Sequence, residues 1–360
     1  MKEAPVSELR SEKTGLKKFY TRPEVRVIAG VLVFAMLLSL FASGFVHVRI
    51  KPGSSEKAAT NYLVDNTRYV GLDTVDRLQE KFRNLSQPIS LEDYYRLAGI
   101  QIAEKDYEGA LGSIENCLKL DDGRNVELHL DLLLKHGCLL VLLERYDEAL
   151  ISLDKVLLKA PNTADAILVK AQIYATQQDV ESLIQTLEQY LQIESESTEI
   201  RLLLAQAMFS TEDFEGAAEQ YLKILESEDK LEEPSKYHYL YGLNCIQLSD
   251  FTAAQEHLLI ALDSGNSYDD IHYYIGLCYM SNEAYEEAIE YLNTAIENES
   301  MLQLSHYSRG ISGLMIENYD AEIILGDLAF AAKYEGADAD ETISSQAAQL
   351  LKQLEGETKG

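Results

Sequence analysis

Five short segments decide the fold: DYEGAL at 106–111, RYDEAL at 145–150, DFEGAA at 213–218, DFTAAQ at 250–255 and AYEEAI at 284–289. In each, an aromatic residue is followed three places later by alanine, at Ala110, Ala149, Ala217, Ala254 and Ala288. Leu183, in DVESLI, falls midway between Ala149 and Ala217, so the six positions are separated by 39, 34, 34, 37 and 34 residues. A further step of 34 reaches Glu322, just after Asn318 and Tyr319. Twelve residues before each of these positions stands a small residue: Ala98, Gly137, Ala171, Ala205, Gly242, Gly276 and Gly310. A fixed period of this length marks stacked supersecondary units. The spacing predicts two amphipathic helices per unit. The small residue lets the two helices approach, and the aromatic fills the space near their turn. One such hairpin cannot bury both of its faces, so neighbours must stack.

Composition agrees with a helical chain. The 360 residues include 20 glycines and 6 prolines, too few breakers for an all-β sandwich, and 46% are apolar, enough for a substantial core. With 31 basic and 60 acidic residues the formal charge is -29, which repels a phosphate backbone and argues against nucleic acid as a partner.

The 34-residue pattern resembles the tetratricopeptide repeat family. Residues 269–302 carry it most fully, with Gly276 and Tyr279 in the first helix, then Tyr285, Ala288, Leu292 and Ala295; residues 130–163 add a closing Pro161. The resemblance covers 91–124, 130–163, 164–197, 198–231, 235–268, 269–302 and, loosely, 303–336. It implies an all-α solenoid, a right-handed superhelix of helix-turn-helix repeats. The seventh unit departs from the pattern at Glu322 and Gly326, which reads as a degenerate end repeat or a register shift. Beyond it, within 337–360, Ile343, Ala347, Leu350, Leu351 and Leu354 form a helical stripe suited to a capping helix. On the other side, within 60–90, Leu72, Val75, Leu78 and Phe82 read as a helix leading into the stack and ending at Pro88.

Residues 27–48 (VIAGVLVFAMLLSLFASGFVHV) hold no Asp, Glu, Lys or Arg. At 1.5 Å per residue they span about 33 Å, matching a hydrocarbon core of about 30 Å. Thirteen of them are Val, Ile, Leu or Phe, and insertion is favoured by several kcal/mol. The preceding tail, 1–26, carries seven basic against four acidic side chains. The positive-inside rule then places the N-terminus in the cytoplasm and the repeats outside. This predicts one transmembrane helix before the solenoid, a stalk over 49–59, and a single-pass protein of a bacterial cell envelope. The rival reading is a cleaved signal peptide, for which Ala42-Ser43-Gly44 offers small residues; its apolar region is usually about 7–15 residues, shorter than this one.

In the tetratricopeptide repeat family the first helix of each unit lines a groove for peptides or partner helices. The resemblance therefore implies groove positions at Tyr95, Leu134, Leu168, Leu202, Tyr239, Tyr273 and Tyr307. One helical turn earlier lie Glu92, Asp131, Asp165, Glu199, Lys236, Asp270 and Leu304. The implied surface is an apolar and tyrosine ribbon flanked mainly by carboxylates, suited to a protein or peptide with apolar anchors and basic flanks. The competing reading is that these side chains pack on neighbouring repeats. The family's carboxylate-gripping subclass, which uses Lys and Asn in the groove, is disfavoured because Tyr and Leu stand there.

His-Tyr recurs every 34 residues, at His238-Tyr239, His272-Tyr273 and His306-Tyr307. Equivalent residues of stacked helices lie about 8–10 Å apart, too far for one zinc with ligands at about 2.0–2.1 Å. No metal is expected. The histidines read as bulky fillers, with a pH-sensitive stack as the alternative. Cys117, Cys138, Cys245 and Cys278 lack the close pairing of a zinc or redox motif and read as buried free thiols, a Cys117–Cys138 bridge being the other option. No nucleotide-binding, metalloprotease or hydrolase motif is present, and no cofactor or catalytic residue is expected. Three functions remain: a membrane-tethered scaffold, a secretion or envelope-assembly accessory that docks substrates for an enzyme, and a self-assembling structural protein.

Overall fold

The computed structural model describes residues 57–65, 89–227, 231–265 and 268–358, with side chains to 354. Among these residues there are sixteen α-helices and no strand. The chain divides into two compact units, one ending at Asp213 and the other beginning at Phe214. No helix among the described residues is long and apolar enough to cross a membrane. The apolar run 27–48 lies outside them, as does the helix read over Leu72–Phe82.

The first unit contains α1 (Ala58–Asp65), α2 (Leu91–Ala103), α3 (Tyr107–Leu120), α4 (Val126–Leu142), α5 (Tyr146–Lys159), α6 (Ala164–Gln177), α7 (Val180–Leu191) and α8 (Thr198–Ser210). From α2 onward each helix packs on the next in sequence. Helix α1 breaks that order by packing on α4 and α6, the first helices of the second and third repeats. It begins inside the stretch read from sequence as a stalk.

The second unit contains α9 (Phe214–Leu225), α10 (Pro234–Gln247), α11 (Phe251–Asp263), α12 (Ile271–Ser281), α13 (Tyr285–Glu297), α14 (Leu302–Met315), α15 (Ala321–Ala332) and α16 (Glu341–Thr358). Here too each helix packs on its successor, and α16 covers both α14 and α15.

The repeated segments mark the start of each second helix. Asp106, Asp179 and Asp250 are N-caps whose carboxylates accept the amides of Gly109, Ser182 and Ala253 at 3.0, 3.1 and 3.0 Å. The aromatic residue that follows most of these caps is half-buried, and Ala110, Ala149, Ala217, Ala254 and Ala288 have no exposed surface.

The small residue twelve places upstream is explained by one contact. A Cβ added at Gly242 would lie 2.7 Å from Leu258 Cγ, one at Gly276 2.9 Å from Leu292 Cγ, and one at Gly137 3.1 Å from Leu153. In each case the leucine is sixteen residues downstream, on the partner helix. Glycine is needed there for close approach, since both helices have ordinary helical backbone.

The seventh hairpin resolves as a register shift. Gly310 faces Leu328 at 3.2 Å, eighteen residues away instead of sixteen. The connection 316–320 has five residues where the preceding hairpins of this unit have three, which supplies the extra two. Ile324, fully buried, fills the place of the repeated alanine, and Glu322 moves to the first turn of α15. The cap is then fastened by Gln303. Its amide nitrogen lies within hydrogen-bond distance of Ala331 O (3.1 Å), Asp340 O (3.0 Å) and Ser344 Oγ (2.9 Å), which share its two hydrogens, and its carbonyl accepts from the Asp340 amide at 2.6 Å. Ile343, Ala347, Leu350 and Leu354 are buried beneath it.

The turn inside most hairpins uses a left-handed residue that is not glycine: Lys105, Glu144, Gln178, Glu212, Ser249 and Glu283 all have φ near +60°. Each position costs on the order of 1 kcal/mol in a non-glycine residue, so the hairpin contacts must offset it repeatedly.

The recurring histidines turn toward the second helix of their own repeat. His238 Nδ1 lies 2.7 Å from His257 Nδ1, and the rings stack at 4.9 Å. His272 lies 6.4 Å from the ring of Tyr291. His306 Nδ1 meets Asp327 Oδ1 at 2.7 Å, and Arg309 clamps the same carboxylate at 2.7 and 2.9 Å. Their 34-residue spacing thus reflects one packing slot used three times. All four cysteines are free and buried; the Cys117–Cys138 bridge is not formed.

Candidate functional site

In the first unit, α2, α4 and α6 are the first helices of three successive repeats, and they bring four of the sequence-derived groove residues together. Tyr95, Asp131, Leu134 and Asp165 line one pocket of about 580 Å³, which also takes in Tyr62, Asn125, Glu127 and Thr163. Asp131 is its centre. Tyr95, from the preceding repeat, donates its hydroxyl to Asp131 Oδ2 at 2.8 Å. Tyr62, from α1, donates to Oδ1 at 2.9 Å. Lys135, one turn along α4, donates its ammonium to Oδ1 as well. The ammonium lies 5.4 Å from the centroids of both the Tyr62 and Tyr95 rings. The cation is therefore held between two aromatic faces and one carboxylate, an arrangement that stabilises it electrostatically after burial has removed its water. Lys135 is 3% exposed.

Helix α1 meets this surface through one face. Ala58, Ala59, Tyr62 and Leu63 are buried, while Val64 is 66% exposed. The Ala59 amide, in the first turn of α1 and without a partner inside its own helix, donates to Gln172 Oε1 on α6 at 2.9 Å. Burial and the Asp131 carboxylate together hold the Tyr62 phenol far above its ordinary range. Asp165 is also raised, first by burial and then by the like charge of Asp65 at the end of α1.

The other positions derived from the resemblance distribute differently. Leu168 and Leu202 are half-buried, and Glu92 and Glu199 are exposed, with Glu92 paired to Arg96 four residues along α2. In the second unit, Tyr239 donates to Asp270 Oδ1 at 2.6 Å and its ring stacks on Tyr268 at 4.1 Å. Burial raises both the Tyr239 phenol and the Asp270 carboxyl. Tyr273 and Tyr307 do not line a groove. Both have no exposed surface, because the first helix of one repeat packs on the helix two places further along. Tyr307 instead donates to Gln346 on the capping helix at 3.2 Å. Leu134 is also almost wholly buried and contributes to the pocket floor.

The sequence reading did not select Tyr62, Lys135 or Gln172. Lys135 carried a signal, as the one cation in the apolar run LDLLLKHGCLL, four residues after Asp131. Tyr62 and Gln172 carried none, since their partners lie 69 and 113 residues away.

The family model of the tetratricopeptide repeat matches residues 246–300, the stretch holding α11, α12 and α13. No curated protein matches the sequence. Among solved structures, the chain is similar to a tetratricopeptide repeat protein from Parabacteroides merdae, at 15% identity, covering 75% of this chain and 99% of that one with a TM-score of 0.43. It is similar to YrrB, a tetratricopeptide repeat protein with an unusual peptide-binding site, at 16% identity, 55% and 97% coverage and a TM-score of 0.45. It is also similar to PilW, a widely conserved type IV pilus biogenesis factor, at 16% identity, 59% and 97% coverage and a TM-score of 0.41.

Proposed function

We propose that the chain is a non-enzymatic tetratricopeptide repeat scaffold that binds a protein or peptide on the face formed by the first helices of its repeats. The observation that carries this reading is the surface around Asp131. Four side chains picked out by repeat register, Tyr95, Asp131, Leu134 and Asp165, share one pocket, and a short helix is seated on it. The chemistry is that of recognition. A carboxylate and an ammonium are held by tyrosine hydroxyls and rings, and nothing there is arranged as a nucleophile with a base. Aromatic anchors around a desolvated charge pair are typical of surfaces where a few residues carry most of the binding energy.

Residues 27–48 supply the second half of the reading. They anchor the chain in a bilayer, and the basic tail 1–26 keeps the N-terminus in the cytoplasm, so that the repeats work on the extracytoplasmic side of a bacterial envelope. Tethering raises the local concentration of whatever the repeats hold.

Two measurements test the two halves separately. Photo-crosslinking residues are placed in the full chain at Leu168 and Leu202, on the first-helix face, and at Ile151 and Leu158, exposed on α5. A partner polypeptide crosslinked from the first pair and not the second is the expected result. The same products from both pairs, or products from α5 alone, remove the assignment of the face. Protease added to intact spheroplasts should cleave the repeats; their protection removes the extracytoplasmic placement.

A further inference from the structure

We infer that the first-helix face of the second and third repeats is a receptor for a short helix of small-small-x-x-Tyr-Leu pattern, and that the chain's own residues 58–65 are its resident, exchangeable occupant. The inference rests on reading the first-helix face as the binding surface.

Three observations carry it. First, α1 is not a further layer of the repeat stack. Its main packing is across α4 and α6, the first helices of the second and third repeats, with Tyr62 meeting Tyr95 of the first hairpin only at the shared Asp131–Lys135 pair. Second, its contacts are those of a bound ligand. One apolar face, Ala58, Ala59, Tyr62 and Leu63, is buried. The leading backbone N–H is received by the Gln172 side chain at 2.9 Å, and the tyrosine hydroxyl by Asp131 at 2.9 Å. Third, eight residues make too short a helix to persist alone in water. Its order is supplied by the receptor, so docking and helix formation occur together, and release melts it.

The tether decides how a competitor would fare. Twenty-five residues separate Asp65 from Leu91. Because the occupant belongs to the same chain as its receptor, its docking is intramolecular and outcompetes a foreign helix at low concentration. An external helix at micromolar concentration therefore meets a receptor that is mostly occupied, and its apparent affinity falls by the fraction that is open. A partner helix must present the same face and reach a concentration, or an affinity, that overcomes the tether.

The probe is a fluorescent peptide of residues 56–66, EKAATNYLVDN, added to the full chain in detergent or nanodiscs. The receptor is opened by Tyr62→Ala with Leu63→Ala, which leaves every residue of α4 and α6 in place but takes one hydrogen bond and one ring from the Asp131–Lys135 pair. Should that pair reduce the helical CD signal by more than the eight residues of the released helix account for, Ala59→Arg opens the same surface from a different position. The opened chain should bind the peptide at least about tenfold more tightly than the natural chain. The peptide carrying Tyr62→Phe should bind the opened chain several-fold more weakly. Absence of binding to either folded, opened chain overturns the proposal. So does equal binding to the natural and opened chains. Binding by the natural chain accompanied by dimers in sedimentation overturns the assignment of α1 as a resident of its own chain. Crosslinking from Leu168 and Leu202 reports on a foreign partner, and this experiment on the resident helix, so either can fail alone.

Discussion

Replacing Asp131 by alanine is the sharpest perturbation the structure offers. The carboxylate accepts from Tyr62, Tyr95 and Lys135, and the side chain of Lys135 is only 4% exposed against 22% for Asp131. Each hydrogen bond to a charged group contributes roughly 1.5–3 kcal/mol, and removing one partner of a buried pair costs about 3–5 kcal/mol because the remaining charge is left uncompensated. These terms describe one carboxylate and do not add. Since Asp131 keeps some contact with water, the lower end applies, about 3 kcal/mol. With a urea m-value of about 1–3 kcal/mol/M, the transition of the first unit should move down by roughly 1–3 M. Stacked repeats need not unfold in one step. The transition is therefore read by hydrogen exchange over 126–177 alongside circular dichroism. The double variant Asp131→Ala/Lys135→Met removes the orphaned ammonium while keeping volume, and should recover at least half of the loss. A shift below about 0.3 M for Asp131→Ala, or a double variant no more stable than the single one, would refute the reasoning.

Three other outcomes follow from particular contacts. Gly276→Ala should destabilise the second unit by about 1–3 kcal/mol in urea melts, because its Cβ meets Leu292 at 2.9 Å, whereas Gly326→Ala, with nothing within 4 Å, should stabilise it by about 0.5–1 kcal/mol. Burial first, then the Asp65 charge, raises Asp165 above 3.8; the part due to Asp65 on α1 sets two like charges together in the docked state at neutral pH and is relieved as pH falls through the raised value. Exchange protection over 58–65, corrected for intrinsic rate, should therefore grow on acidification, and Asp65→Asn should show greater protection at neutral pH with a flatter profile. Burial pushes the Cys117 thiol up to about 12 and the Cys245 thiol up to about 11, and Cys138 and Cys278 higher still. Ellman's reagent should label none of the four in the native chain and all four in denaturant.

The helical hairpins were legible because their signals are local. An aspartate followed by an aromatic and, three places on, alanine encodes a capped helix start, and glycine or alanine twelve residues earlier encodes a close crossing. The irregular last repeat was flagged by Glu322 at an alanine position, which left a degenerate repeat and a register shift both open; the longer 316–320 connection, not visible in the spacing, provides the shift. The left-handed turn residues gave no sign, because Glu144 and Glu283 are poor indicators of positive φ. The pocket around Asp131 was half legible. Register placed Tyr95, Asp131, Leu134 and Asp165 on one face, but the same register placed Tyr273 and Tyr307, which lie buried between first helices. Periodicity tells which helix a residue belongs to and roughly where it points. It does not tell how closely the next repeat approaches. Docking of α1 was illegible for another reason: a contact across 69 or 113 residues leaves no trace in spacing.

Hydrogen exchange over residues 58–65 of the full chain tests the central claim most directly. If Asp131 and Gln172 form a helix receptor filled by this segment, its amides should be protected in the natural chain. They should exchange freely in Gln172→Ala/Asp131→Asn, while α3, Tyr107–Leu120, keeps its protection. Exchange at the rate of an unstructured peptide in the natural chain, or unchanged protection in the double variant, would contradict the account.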